Sequence, residues 1–203
     1  MKTTVIIFVA VILIPLFSFT QIIKDIDYIS PFNDGVAAIK KGDQWAFINE
    51  QGKILVAFRA DLVLANNKTR SYPVFNSDRC LIVQKREGVS YFGYIDKSGK
   101  TIIDPKFLNA KNFIGDYALA LELVKEDLGY NNIFKKPVVN YRYFEVVIDI
   151  NGESLDYLTK AKNVSLSKEF LIIPPKFTCK HISENLVSVL NENKKWNIKQ
   201  LNN

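Results

Sequence analysis

Phe32-Asn33-Asp34-Gly35-Val36-Ala37-Ala38-Ile39, then Trp45-Ala46-Phe47-Ile48-Asn49, then Gly52-Lys53: this stretch decides the fold, because it recurs. A second copy opens at Phe75. Asn76-Ser77-Asp78 occupy its turn, Arg79 to Val83 its first strand, Phe92-Gly93-Tyr94-Ile95-Asp96 its aromatic strand, and Gly99-Lys100 its closing turn. The offset is 43 residues from Phe32 to Phe75 and 47 from Gly52 to Gly99, the difference being an insertion at the hairpin tip near Arg86 to Val89. Loop tips absorb such additions at little cost. A third copy begins at Phe113-Ile114-Gly115-Asp116, resumes at Val147 to Gly152 after a long insertion, and closes at Ile172 to Phe177. A fourth runs from Ile182 to Trp196-Asn197-Ile198 and breaks off half a unit in. Each copy must bury its apolar face on a neighbour, so the period fixes the architecture.

The residues within a copy explain the strand type. Alternation puts Trp45 and Phe47 on one strand face and Ala46 and Ile48 on the other, and likewise Phe92 and Tyr94 against Gly93 and Ile95. A small residue beside a large aromatic lets another backbone approach closely. Asn49 to Lys53 and Asp96 to Lys100 fit tight hairpins with Gly in the left-handed region. Pro105 and Pro174-Pro175 suit strand ends, since proline cannot donate to a ladder. Each unit reads as an antiparallel meander of about three strands.

These copies resemble the WG-containing repeat family, also written KWG repeats. The resemblance is good from Ser30 to about Phe107 and patchy from there to Trp196. The nearest matches are Gly93 to Lys100 and Ile172 to Phe177. The WG pair itself reads Trp45-Ala46, Phe92-Gly93 and Trp196-Asn197, and Glu145-Val146 stands at its place in the third copy. The resemblance implies no enzymatic activity and no cofactor. The expected fold is all-β: tandem meander repeats in an open array, with a propeller-like arc as the alternative. Units are expected at about 30–72, 73–108, 111–177 and a partial 181–203. The repeat core is expected to comprise Phe32, Gly35, Trp45, Phe47, Gly52, Phe75, Phe92, Tyr94, Gly99, Phe113, Gly152 and Trp196.

Two insertions in the third copy break the pattern. Residues 122–143 carry Gly129, Pro137 and the aromatics Tyr130, Phe134, Tyr141 and Tyr143, and read as an elongated hairpin or ordered loop. In 155–168, Leu155, Leu158, Ala161 and Val164 recur at steps of three, which predicts one short helix. Insertions on a repeat scaffold often line its binding face, so the four aromatics are the candidate interaction surface.

Residues 1–20 have one charge, Lys2, an apolar run from Val5 to Phe17 and small polar residues after it, the pattern of a signal peptide. The run is short for a bilayer span, and no later stretch is long enough to cross. The expectation is export to the periplasm or beyond the cell, with residues 21–203 as the domain. Without Lys2 the chain has 26 basic against 21 acidic side chains. That mild, spread excess lacks the patch of a nucleic-acid binder. Cys80 and Cys179 either bridge or remain two buried thiols.

No catalytic constellation emerges. His181 is the single histidine and has no neighbouring acid. Zinc wants three or four N/S ligands, so no His-rich metal site is expected. Ser165-Leu166-Ser167-Lys168 matches S-x-x-K without its companion motifs. Asp149-Ile150-Asn151-Gly152-Glu153 hints at a calcium loop but does not complete the twelve-residue pattern. The leading expectation is a non-catalytic binding or scaffolding module for a protein or cell-envelope polymer. The alternative is an envelope hydrolase using acids of the insertions, such as Glu122 and Glu126.

Overall fold

The computed structural model describes residues 23–65 and 71–201. The signal-peptide reading of residues 1–20 lies outside them. The described chain is all strand and turn, arranged as four separate antiparallel sheets, none closed into a barrel. Among the described residues no helix is long and apolar enough to cross a membrane.

The first sheet contains β1 (Tyr28–Ile29), β2 (Ala37–Lys41), β3 (Gln44–Ile48) and β4 (Ile54–Arg59), and the second β5 (Phe75–Asn76), β6 (Arg79–Arg86), β7 (Val89–Ile95) and β8 (Thr101–Phe107). The third is built on a long hairpin, β9 (Ala118–Asn131) with β10 (Lys136–Ile148). Both β11 (Ser154–Tyr157) and β12 (Lys162–Asn163) also pair with β10. The fourth has β13 (Cys179–Ser183), β14 (Leu186–Leu190) and β15 (Trp196–Gln200).

The repeated turns account for this regularity. Asn33 and Val36 exchange backbone hydrogen bonds around Asp34 (φ 54°) and Gly35 (φ 76°), the positive pair that a type I′ turn requires. Ser77 (φ 50°) and Asp78 (φ 59°) repeat it between β5 and β6. Where the third and fourth strands meet, one side-chain oxygen caps each turn. Asn49 accepts from the N–H groups of Gln51 and Lys53, Asp96 from Ser98 and Lys100, and Asp149 from Asn151 and Glu153. Asp149, the residue that hinted at calcium, is thus the third use of one turn.

The sheets stack face to face, because alternation gives every strand two apolar faces. Trp45, Phe47, Val36 and Ala38 of the first sheet meet Phe75, Cys80, Ile82 and Ile95 of the second. Leu81, Phe92, Tyr94 and Ile103, on the second sheet's other face, meet Phe113, Ala118, Ala120, Val146 and Ile148. Leu119 and Val147 then meet Cys179 and Val187. The Phe of each repeat turn wedges onto the aromatic strand before it, Phe75 on Phe47 at 4.6 Å and Phe113 on Tyr94 at 4.9 Å, both edge to face. Among the described residues no apolar cluster joins the first sheet to the fourth, as an open array requires.

Three expectations need correction. No helix forms in 155–168. The exposed edge of β10 has unpaired backbone groups, and β11 and β12 satisfy them, with Leu158 N–H donating to Glu145 O and Val164 N–H to Tyr141 O. Sheet pairing outweighs a helical spacing that leaves Leu155 in water. Second, Phe32 and Trp196 are not core: they are 49% and 47% exposed. Phe32 has no described preceding sheet to wedge into, and Trp196 lies on the last strand of the last sheet, with Lys180 Nζ 4.8 Å from its ring centroid. Third, Tyr143 is half-buried and not an exposed surface aromatic. It packs with Leu121, Leu123 and Leu171 at the foot of the long hairpin. The cysteines, left open above, are two buried thiols in different interfaces, Cys80 between the first two sheets and Cys179 between the last two.

Candidate binding surfaces

Two features stand out from the repeat scaffold. The first is the β9–β10 hairpin. Its foot is held by β11 and β12, but from the Glu126–Asn140 pair to the Asn131–Lys136 pair its strands pair only with each other among the described residues. Six residues at the antiparallel rise make a free ribbon about 20 Å long. Isolated two-stranded ribbons are marginal in water. This one is braced by the Arg142–Glu126 ion pair at 2.9 Å, and Asn131 Oδ1 accepts from the N–H groups of Ile133 and Phe134 in the turn. At the tip Ile133 is 87% and Phe134 72% exposed, flanked by exposed Leu128 and Tyr130 and by Lys135 and Lys136. Tyr130 and Phe134 are thus exposed. Tyr141 lies half-buried and Tyr143 is turned inward. Leu128 and Ile133 were missed by counting aromatics alone, although apolar residues flanking a Gly129/Asn131-Asn132 turn must face water.

The second feature is a cleft of about 660 Å³ where the inter-sheet connections converge. Val74 and Asn76 come from the entrance to the second sheet, Asn109 to Ile114 from the entrance to the third, and Lys176 to His181 from the entrance to the fourth. Its floor includes Phe113, Leu119 and Phe177, and its walls carry Lys111, Lys176 and Lys180 with no carboxylate among the lining residues. Lys111 lies 5.2 Å from the Phe177 ring centroid. His181 Nε2 is buried without a hydrogen-bond partner, and burial pushes its pKa below the ordinary value, so the ring is neutral at pH 7. The lysines come from two connections about 65 residues apart in sequence, so no local motif announces them.

The acids proposed for hydrolysis are not brought together. Glu122 and Glu126 lie four residues apart on β9, about 13 Å along the strand. That exceeds the roughly 6.5–9.5 Å of inverting glycosidases and the shorter retaining spacing. Glu122 accepts from Ser154 Oγ at 3.0 Å, and Glu126 is engaged by Arg142. Ser165 to Lys168 lie outside any strand, beside the foot of the long hairpin.

Glu145 occupies the position where the other copies carry an aromatic. It is fully buried. Its carboxylate accepts from Lys162 Nζ at 2.8 Å, from the N–H groups of Thr178 and Cys179 at 2.8 Å each, and from Thr178 Oγ1 at 2.5 Å. Desolvation pushes its pKa up. The hydrogen bonds from Lys162, Thr178 and Cys179 outweigh that and hold the carboxyl below its usual range. The third interface thus replaces an aromatic wedge by a charged clamp on the start of β13. Burial, with the Glu145 charge nearby, pushes the Cys179 thiol up to about 12, so it is inert.

A family model described as WG containing repeat matches residues 19–45 and 92–122. The second match runs from Phe92 on β7 to Glu122 on β9, so it holds both halves of one stacking interface, Phe92 and Tyr94 with Phe113, Ala118 and Ala120. The repeat of the sequence is therefore cut across the sheets of the structure. No curated protein and no solved structure matches the chain.

Proposed function

We propose that this repeat protein is an exported, non-catalytic binding module that grips a protein or cell-envelope polymer through the tip of its β9–β10 ribbon. The repeat sheets serve as the rigid base. The observation that supports this reading is the exposure of Ile133 and Phe134, beside Leu128 and Tyr130, on a ribbon that no other strand covers. Apolar side chains clustered in water favour a partner, each large one contributing about 1.5–3 kcal/mol when fully buried. Lys135 and Lys136 next to the tip add attraction to acidic surfaces.

The test is co-sedimentation of the purified protein with isolated envelope fragments, comparing it with an Ile133→Ser/Phe134→Ser variant. The wild type is expected to sediment with the fragments and the variant to stay in solution while keeping its thermal midpoint. Equal sedimentation of both would remove the ribbon tip from the binding account.

A further inference from the structure

We infer that the cleft at the converging connections is a second, separate binding site, for a small organic anion with an apolar body. Its lining divides by chemistry. Lys111 and Lys176 supply two positive charges, and neither has an ion pair within the described residues, while the Lys180 ammonium sits over Trp196, outside the lining.

The floor is apolar, with Val74, Phe113, Leu119 and Phe177, and the amides of Asn76 and Asn112 stand at the rim. Asn109 is already committed: it donates to Pro175 O at 2.8 Å, which ties the second of these connections to the third. The third connection is also clamped by Glu145 through Thr178 and Cys179. The walls are thereby fixed before any ligand arrives, which lowers the ordering cost of binding. At about 660 Å³ the cleft falls within the usual range for small-molecule sites. An apolar floor under unpaired ammonium groups favours a ligand with an acid group at one end and a ring or short alkyl body at the other. A neutral ligand would leave the lysines unmatched, and a bare inorganic anion would leave the floor wet.

Paired probes test this. 8-Anilino-1-naphthalenesulfonate and N-phenyl-1-naphthylamine share an aromatic body and differ in the anionic group. Fluorescence titration of the purified protein is expected to show saturable binding of the sulfonate, one per chain, and at least tenfold weaker binding of the uncharged amine. Lys111→Glu with Lys176→Glu should weaken the sulfonate at least about tenfold, while Lys176→Arg retains it. Decanoate and 2-naphthoate are the competing arms. Displacement by the first assigns an acyl body and by the second an aromatic one, and either supports the site. Equal binding of both probes, unchanged binding in the double variant, or loss of the sulfonate signal in Phe134→Ser, which would place the probe on the ribbon, overturns it. The ribbon's co-sedimentation is independent of these readouts, so either proposal can fail alone.

Discussion

Gly93 shows how much one missing carbon determines. The pairing of β7 with β8 shifts register between Phe92 and Tyr94, and the β8 backbone crowds the Gly93 position. A Cβ there would meet Ile103 O and would lie 2.6 Å from Pro105 N. Backbone cannot move aside as a flexible side chain can, so Gly93→Ala is expected to cost at least about 2 kcal/mol in urea unfolding. Lys194 shows the opposite case. It has φ 58° in the β14–β15 turn, a conformation that costs a side chain about 1 kcal/mol or more. Lys194→Gly should raise stability by about 0.5 kcal/mol once the added freedom of the unfolded chain is offset. Glu145 governs the acid response. The folded carboxyl titrates below its ordinary value of 4.5, so its stabilisation is complete above that pH and is lost as pH falls toward the folded value. Glu145→Gln, which leaves Lys162 and the two N–H groups badly matched, should cost on the order of 3 kcal/mol at pH 7. It should also flatten the decline in thermal midpoint between pH 5 and lower values that the wild type shows. An unchanged slope would mean that other carboxylates carry it.

At the scale of elements, the repeat turns were readable from Asp34-Gly35 and Gly99-Lys100, because a left-handed residue beside an Asn or Asp cap is a local matter. Gly129, Pro137 and the four aromatics left an elongated hairpin or an ordered loop open, and the structure forms the hairpin. The predicted helix was not, because the edge of β10 that recruits β11 and β12 exists only after a hairpin 31 residues long in sequence has formed, from Ala118 to Ile148. The ribbon itself should be separable. Replacing residues 128–138 by a two-residue Asn-Gly turn, which joins the paired Asp127 and Val139, is expected to change global stability by less than about 1 kcal/mol while abolishing sedimentation with envelope fragments, since the tip is exposed. A large loss of thermal midpoint would show that the tip folds back on the scaffold.

Over the whole molecule, stability is distributed among stacking interfaces, and position in the array decides what an aromatic contributes. Trp45 is buried between sheets and meets Tyr28 edge to face at 5.8 Å, whereas Trp196, its counterpart in the last copy, is half in water. Trp45→Ala should cost about 3–5 kcal/mol and Trp196→Ala less than about 1 kcal/mol by denaturant unfolding. Equal costs would contradict the stacking order. The same reasoning explains why Phe32 differs from Phe75 and Phe113 although each opens its repeat at the same position.

The sequence alone determined the strands, their turns, the aromatic faces and the stacking period, because these follow from alternation and from residues within about fifty positions of one another. Only the tertiary structure decided which aromatics are covered, since burial belongs to the neighbouring sheet and not to the residue. It also decided that a carboxylate serves where a tryptophan stands elsewhere, because the groups that satisfy Glu145, on Lys162, Thr178 and Cys179, belong to the insertion and the next unit and follow no repeat spacing. The meeting of Lys111 and Lys176 at one cleft is likewise a property of how the connections cross, and short-range pattern carries no trace of it.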